Sequence, residues 1–110
     1  MVKQYRVLIS TEAQNSLTYI VDYLIEKHSL QTGLKKERQL LEAIQTLKTF
    51  PQGHSQLRIK RKKRTNPYRF LPIENYKIIY TVEEEPDAIV IVIQLIHDNM
   101  SMKNLEKILP

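Results

Sequence analysis

The chain has 110 residues, no cysteine, and a formal net charge of +5 from 17 lysines and arginines against 12 aspartates and glutamates. That length suits a single domain, 1–110, with one modest core. The lack of cysteine excludes a disulfide framework and a thiolate metal site, and it fits a reducing compartment. The opening MVKQYRVLIS holds no apolar run of signal-peptide length, and the longest apolar run, residues 88–93, is far too short to cross a membrane. A cytoplasmic protein with no membrane partner is the expectation.

In chain order, residues 3–9 alternate. Tyr5, Val7 and Ile9 fall on one side of a short strand, and Gln4, Arg6 and Leu8 on the other. Thr11 and Gln14 have the spacing of a capping box, and Glu12 suits the first turn of a helix. Ala13, Leu17, Ile20, Val21 and Leu24 then form a helical stripe that runs to about Lys27. A second helix is predicted over 31–49, with Leu34, Leu40, Leu41, Ile44, Leu47 and Phe50 as its buried side. Gly33 weakens its first turn, and Pro51 stops it. The pair reads as an antiparallel helical hairpin.

From residue 57 the period becomes two. Strands are predicted near 57–61, 67–72, 76–82 and 88–95. Pro67 and Pro72 bracket the second, which suits a short or edge strand. The last is apolar on both faces, as a central strand would be. Residues 101–109 can form a short helix capped by Ser101. The expected class is α+β: an N-terminal strand, the hairpin, a mainly antiparallel sheet of four further strands, and a short C-terminal helix. The hairpin should cover one face of the sheet, leaving the other partly open to carry charge.

The charge is unevenly spread. Arg58, Lys60, Arg61, Lys62, Lys63, Arg64 and Arg69 follow one another with no acid among them, whereas Glu83, Glu84, Glu85 and Asp87 cluster elsewhere. Such segregation is what a polyanion-binding face requires. Lys60, Arg61, Lys62, Lys63 and Arg64 are therefore the candidate nucleic-acid-binding residues. An ordinary solvated loop, or a docking surface for an acidic protein, is the competing reading.

Three local patterns carry a family resemblance over nearly the whole chain. Leu47-Lys48-Thr49-Phe50-Pro51-Gln52-Gly53 is similar to an "L…P.G" helix stop. Tyr68-Arg69-Phe70-Leu71, a turn, and Tyr76-Lys77-Ile78-Ile79-Tyr80 are similar to an "R.L…Y.I.Y" strand pair. Ile93 to His97, followed by Asp98-Asn99-Met100, is similar to an "LH..M" segment. In this order they resemble the RelE/ParE superfamily of toxins from type II toxin–antitoxin systems, some of which act in plasmid stabilization. The resemblance implies growth inhibition and neutralisation by a cognate antitoxin protein. It leaves two targets open: RelE-like members cleave mRNA on the ribosome as mRNA interferases, and ParE-like members inhibit DNA gyrase.

Metal-free RNA cleavage needs a base for the 2′-hydroxyl, a stabiliser of phosphoryl charge and an acid for the leaving oxygen. Arg69 matches the family's strand arginine, and its planar fork suits phosphate. The competing reading is a strand arginine in an ion pair, for example with Glu74. Lys77 stands where RNA-cleaving relatives carry a second arginine; it keeps the charge but loses the fork. His97, at the end of the last strand, has the pKa range for acid–base work, or is a structural histidine. Arg69, Lys77 and His97 are the candidate catalytic set. Tyr68, Tyr76 and Tyr80 could stack on a base, but sheet-face packing is the more common role of such residues. His28 and His54 look isolated. No His/Asp/Glu set has metal spacing, and two glycines cannot build a phosphate loop, so no metal or small-molecule cofactor is expected. A non-toxic basic binding module on the same fold is the rival reading.

Overall fold

The computed structural model describes residues 3–57, 67–100, 104 and 107–109. The elements are β1 (Arg6–Ile9), α1 (Thr11–Lys27), α2 (Leu30–Gln45), β2 (Arg69–Ile73), β3 (Tyr76–Glu83) and β4 (Ile89–His97), with 3₁₀ turns at Thr46–Lys48 and Pro51–Gly53. The sheet order is β1-β4-β3-β2. β1 runs parallel to β4, and the other two pairings are antiparallel. This is the expected α+β arrangement, with the strand that is apolar on both faces inside the sheet and the proline-bracketed strand at its edge.

Of the strand expected near 57–61, only Leu57 is described. Gln56 bridges Arg69 antiparallel, and the Leu57 amide donates to the Tyr68 carbonyl at 2.9 Å. Of the helix expected over 101–109, Asn104, Lys107 and Ile108 have helical backbone. The rest of both expectations lies outside the described residues.

The cap of α1 sits one residue earlier than expected. The Ser10 hydroxyl, not Thr11, accepts from the Ala13 amide at 3.0 Å, and it donates to the Ile93 carbonyl at 2.9 Å. One side chain thus caps the helix and ties its start to β4. α2 is capped by Ser29, which accepts from the Thr32 amide at 3.1 Å.

α2 is shorter than expected, ending at Gln45 before the tighter turn. Its buried stripe runs Gly33, Leu40, Ala43, Ile44, continuing to Leu47. Leu34 and Leu41 sit one residue round the helix, about 100° away, and are exposed. Gly33 is required rather than tolerated. A Cβ there would lie 2.4 Å from Ile25 Cγ1 and 3.0 Å from the Val21 carbonyl, so its absence lets α2 close against α1.

Phe50, expected in the core, is 68% exposed and has a left-handed φ of 51°. The proline that follows pushes it out of helical space. Its ring lies over Gly53, where a Cβ would come within 2.8 Å of it.

The main core lies between the hairpin and the sheet. Tyr5, Ala13, Ile20, Leu40, Ile44, Leu47, Ile78, Tyr80, Val90, Val92 and Leu95 are buried there. A smaller cluster on the reverse side joins Leu57, Tyr68, Ile79 and Ile96, with Phe70, Ile93 and Leu109 packed at its margin. That side, expected to stay partly open, therefore carries its own apolar patch.

Candidate functional site

Strand alternation decides where the candidate catalytic residues go. Arg69 pairs with Tyr80 across β2 and β3, and Leu71 and Ile73 on the same alternation pack into the main core. Arg69 therefore lies on the helix side of the sheet, at the edge strand. Its guanidinium Nη1 donates to the His54 carbonyl at 2.7 Å. Glu74, the ion-pair partner considered for it, is engaged elsewhere. Its carboxylate accepts from Lys36 Nζ at 2.7 Å and Gln39 Nε2 at 2.8 Å.

Lys77 lies on the reverse side, its ammonium 5.3 Å from the centre of the Phe70 ring. His97 is on the helix side again, edge-on to Tyr76 with ring centres 5.3 Å apart. Its Nδ1 is 2.7 Å from Asn99 Oδ1 and 3.4 Å from Asp98 Oδ1. His97 shares a row with Tyr76, and Arg69 with Tyr80, so the two are about 13 Å apart along the strands alone. The fold does not bring Arg69, Lys77 and His97 together. Arg58 and the expected polyanion-binding residues Lys60, Arg61, Lys62, Lys63 and Arg64 lie outside the described residues.

What the fold does gather around Arg69 is a different group. After Pro51 the chain doubles back, and the Phe70 amide donates to the Ser55 carbonyl at 3.0 Å. This places His54 edge-on over Tyr80, ring centres 6.3 Å apart. The Tyr80 hydroxyl, fully buried, donates to the Pro51 carbonyl at 2.5 Å. Burial pushes its pKa up to about 12, with the Arg69 charge pulling the other way. Tyr80 is thus a core residue and an anchor for the Pro51–Gly53 turn, not a surface for stacking.

A second anchor holds that turn from outside. Glu84 accepts from Lys3 Nζ at 2.9 Å, from the Tyr5 hydroxyl at 2.8 Å and from the Gln52 amide. The hydrogen bond from Lys3 is the largest reason its carboxyl stays below the ordinary carboxylate value. Sequence reading had no access to His54. Its approach to Arg69 spans 15 positions and depends on backbone pairing that no periodicity reveals.

Among the described residues no group of His, Cys, Asp or Glu could hold a metal ion, and no helix is long and apolar enough to cross a membrane.

The chain is thus a helical hairpin on a four-stranded sheet of order β1-β4-β3-β2. A family model for the ParE toxin of type II toxin–antitoxin systems, parDE, matches residues 7–102. The chain belongs to this family. Its fold is similar to a chain from the chromosomal ParDE toxin–antitoxin system of P. aeruginosa, with a TM-score of 0.69 and 13% identity over 86% of this chain and 97% of that one. It is also similar to a chain from the RelBE2 toxin–antitoxin complex of Mycobacterium tuberculosis, with a TM-score of 0.59 and 18% identity over 88% of this chain and 93% of that one. No curated protein matches the sequence.

Proposed function

We propose that this toxin arrests growth by inhibiting DNA gyrase in the cytoplasm, and that a cognate antitoxin holds it inactive. The observation that carries the choice of target is the separation of Arg69, Lys77 and His97. General acid, general base and charge stabiliser must all reach one phosphate within about 3 Å. Here one candidate lies on the far side of the sheet and the other two in rows four residues apart. Arg69 also spends one arm of its fork on the His54 carbonyl, a role that positions a turn rather than cleaves RNA. The family match over residues 7–102 supports the same target.

Ribosome-dependent mRNA cleavage is the second reading. It is favoured by the basic run, which in sequence separates Leu57 from Tyr68, two residues joined by a backbone hydrogen bond next to Arg69. On this second reading Lys60, Arg61, Lys62, Lys63 and Arg64 meet the phosphates of RNA. Four phosphate contacts would give a logarithmic salt slope of roughly −3.

Induction in bacteria separates the readings. Loss of negative supercoiling in plasmid DNA, with transcripts intact, is the expected result. Transcripts cut only where ribosomes are present would replace it with the second reading, and Arg69→Ala would then abolish the cuts. Continued growth with soluble protein present would leave a non-toxic binding module.

A further inference from the structure

A proline favours extended backbone in the residue before it, yet Phe50 is held at φ 51° and ψ 55°, in the left-handed region. That region crowds a Cβ, and glycine is its ordinary occupant. Phe50 is also 68% exposed, so burial offsets little of the strain. Its neighbours are fixed on both sides. Thr49 bridges Gln4, the Pro51 carbonyl accepts from the Tyr80 hydroxyl at 2.5 Å, and the Gln52 amide donates to Tyr5 and Glu84. The ring itself is backed by Gly53, where a Cβ would come within 2.8 Å of Cδ2 and Cε2. An anchored turn thus presents a supported aromatic surface to solvent. Strain that persists because its surroundings over-determine it points to function rather than stability.

Positive groups lie to either side of this residue in the chain. Lys48, two residues before it, is exposed. Four residues after it, the His54 carbonyl accepts from the Arg69 guanidinium at 2.7 Å. The basic run follows Leu57, whose amide donates to the Tyr68 carbonyl beside Arg69. Glu84, the acid that holds Gln52, is paired with Lys3 at 2.9 Å. A ring set among lysines and arginines is the arrangement that takes single-stranded nucleic acid. The cations track the phosphates, and the ring stacks on a base of any identity, because every base has a π-face.

We propose that Phe50 is a stacking platform for an unpaired nucleobase, with Lys48 and Arg69 drawing the phosphates that flank it. The inference goes beyond the choice of target. Gyrase acts on DNA and the ribosome on mRNA, and both strands carry the base and phosphates that this turn engages. Binding is therefore measured on the toxin alone, so that failure of the platform is distinct from failure of the gyrase reading.

The probes are fluorescent single strands of ~12 nucleotides, one of DNA and one of RNA, titrated with the toxin over a salt series and followed by anisotropy. Phe50→Leu keeps apolar bulk but has no π-face, and should bind roughly tenfold more weakly. Phe50→Tyr should bind as the native chain does. The salt slope should be the same in all three, since the ring neutralises no phosphate. Phe50→Gly suits the left-handed backbone. It should bind as weakly as Phe50→Leu while its urea midpoint stays unchanged. The more tightly held strand distinguishes DNA from RNA as the source of the base. Undiminished binding by Phe50→Leu would overturn the proposal and point to an apolar pocket on a protein. A fall in the Phe50→Gly midpoint would make the ring structural and overturn it too. So would a salt slope that moved with the ring, equal affinity for a blunt duplex, or binding of neither strand.

Discussion

On its helix side the sheet is covered by the hairpin. Ile78, Tyr80, Val90, Val92 and Leu95 meet Ala13, Ile20, Leu40 and Ile44. On its reverse side Leu57, Tyr68, Ile79 and Ile96 make a patch ringed by half-exposed side chains, Phe70, Ile93 and Leu109, with Lys77 leaning over Phe70. The difference is one of covering. The hairpin supplies a full layer of side chains, whereas among the described residues the reverse patch is covered by the chain at Leu57 and by Leu109. Stability should therefore be concentrated on the first side, and substitutions on the second should be tolerated better.

The strongest way to test that contrast is a pair of truncations followed by urea unfolding. Leu40→Ala, fully buried under the sheet, should cost about 4 kcal/mol, and Leu57→Ala on the reverse side about 2 kcal/mol. Equal losses would mean that the reverse patch is as tightly packed as the core.

Tyr80→Phe comes next. It leaves the Pro51 carbonyl without its donor, at about 1–2 kcal/mol. It should also change the alkaline limb of the stability curve. The phenol is held neutral to about pH 12 in the fold, against an ordinary value of 10.0. Its contribution is therefore complete below pH 10 and is lost as pH rises from there toward 12, at no more than about 1.4 kcal/mol per pH unit. The variant should lack that decline, which chemical unfolding at several alkaline pH values would reveal.

Lys77→Ala removes one cation–ring contact on the reverse side and should cost about 0.5 kcal/mol. A larger loss would show that this lysine does more for the patch than lean on it.

The smallest effects concern the carboxylates that tie the margins. Glu74 is held below the ordinary carboxylate value chiefly by its hydrogen bond from Lys36, and Glu84 by that from Lys3. Their contribution is present above pH 4.5 and fades as the pH drops through their lowered values. Glu74→Gln and Glu84→Gln should each flatten the acid limb slightly, and both exposed positions should leave the neutral-pH midpoint nearly unchanged.

Much of the fold was legible because periodicity reports burial. The two-residue alternation of Tyr5, Val7 and Ile9 matches the side of β1 that packs on the core, and the continuous apolar run of β4 matches its interior place. The stripe on α2 was harder to read. Leu34 and Leu41 are the bulkier residues, so they drew the reading, whereas Gly33 marks the true contact line because close helix approach needs the absence of a side chain. The parallel pairing of β1 with β4 had no local signal, since both partners look like ordinary strands from their own residues. The candidate site was legible only by residue type. Which side of the sheet a strand residue occupies follows from alternation, but Arg69, Lys77 and His97 sit on strands whose mutual register, including the irregularity between Ile79 and Tyr80, had first to be known.

Ser10 reaches across 83 positions to bond the Ile93 carbonyl, beside the pairing of β1 with β4. The first strand thus finds its place only when the last has been synthesised, and closing so long a loop is a slow, entropically opposed event. An incomplete chain emerging from the ribosome lacks the strand against which both β1 and the start of α1 are secured. Completion of this fold is therefore tied to the synthesis of β4, which secures both the first strand and the start of the first helix.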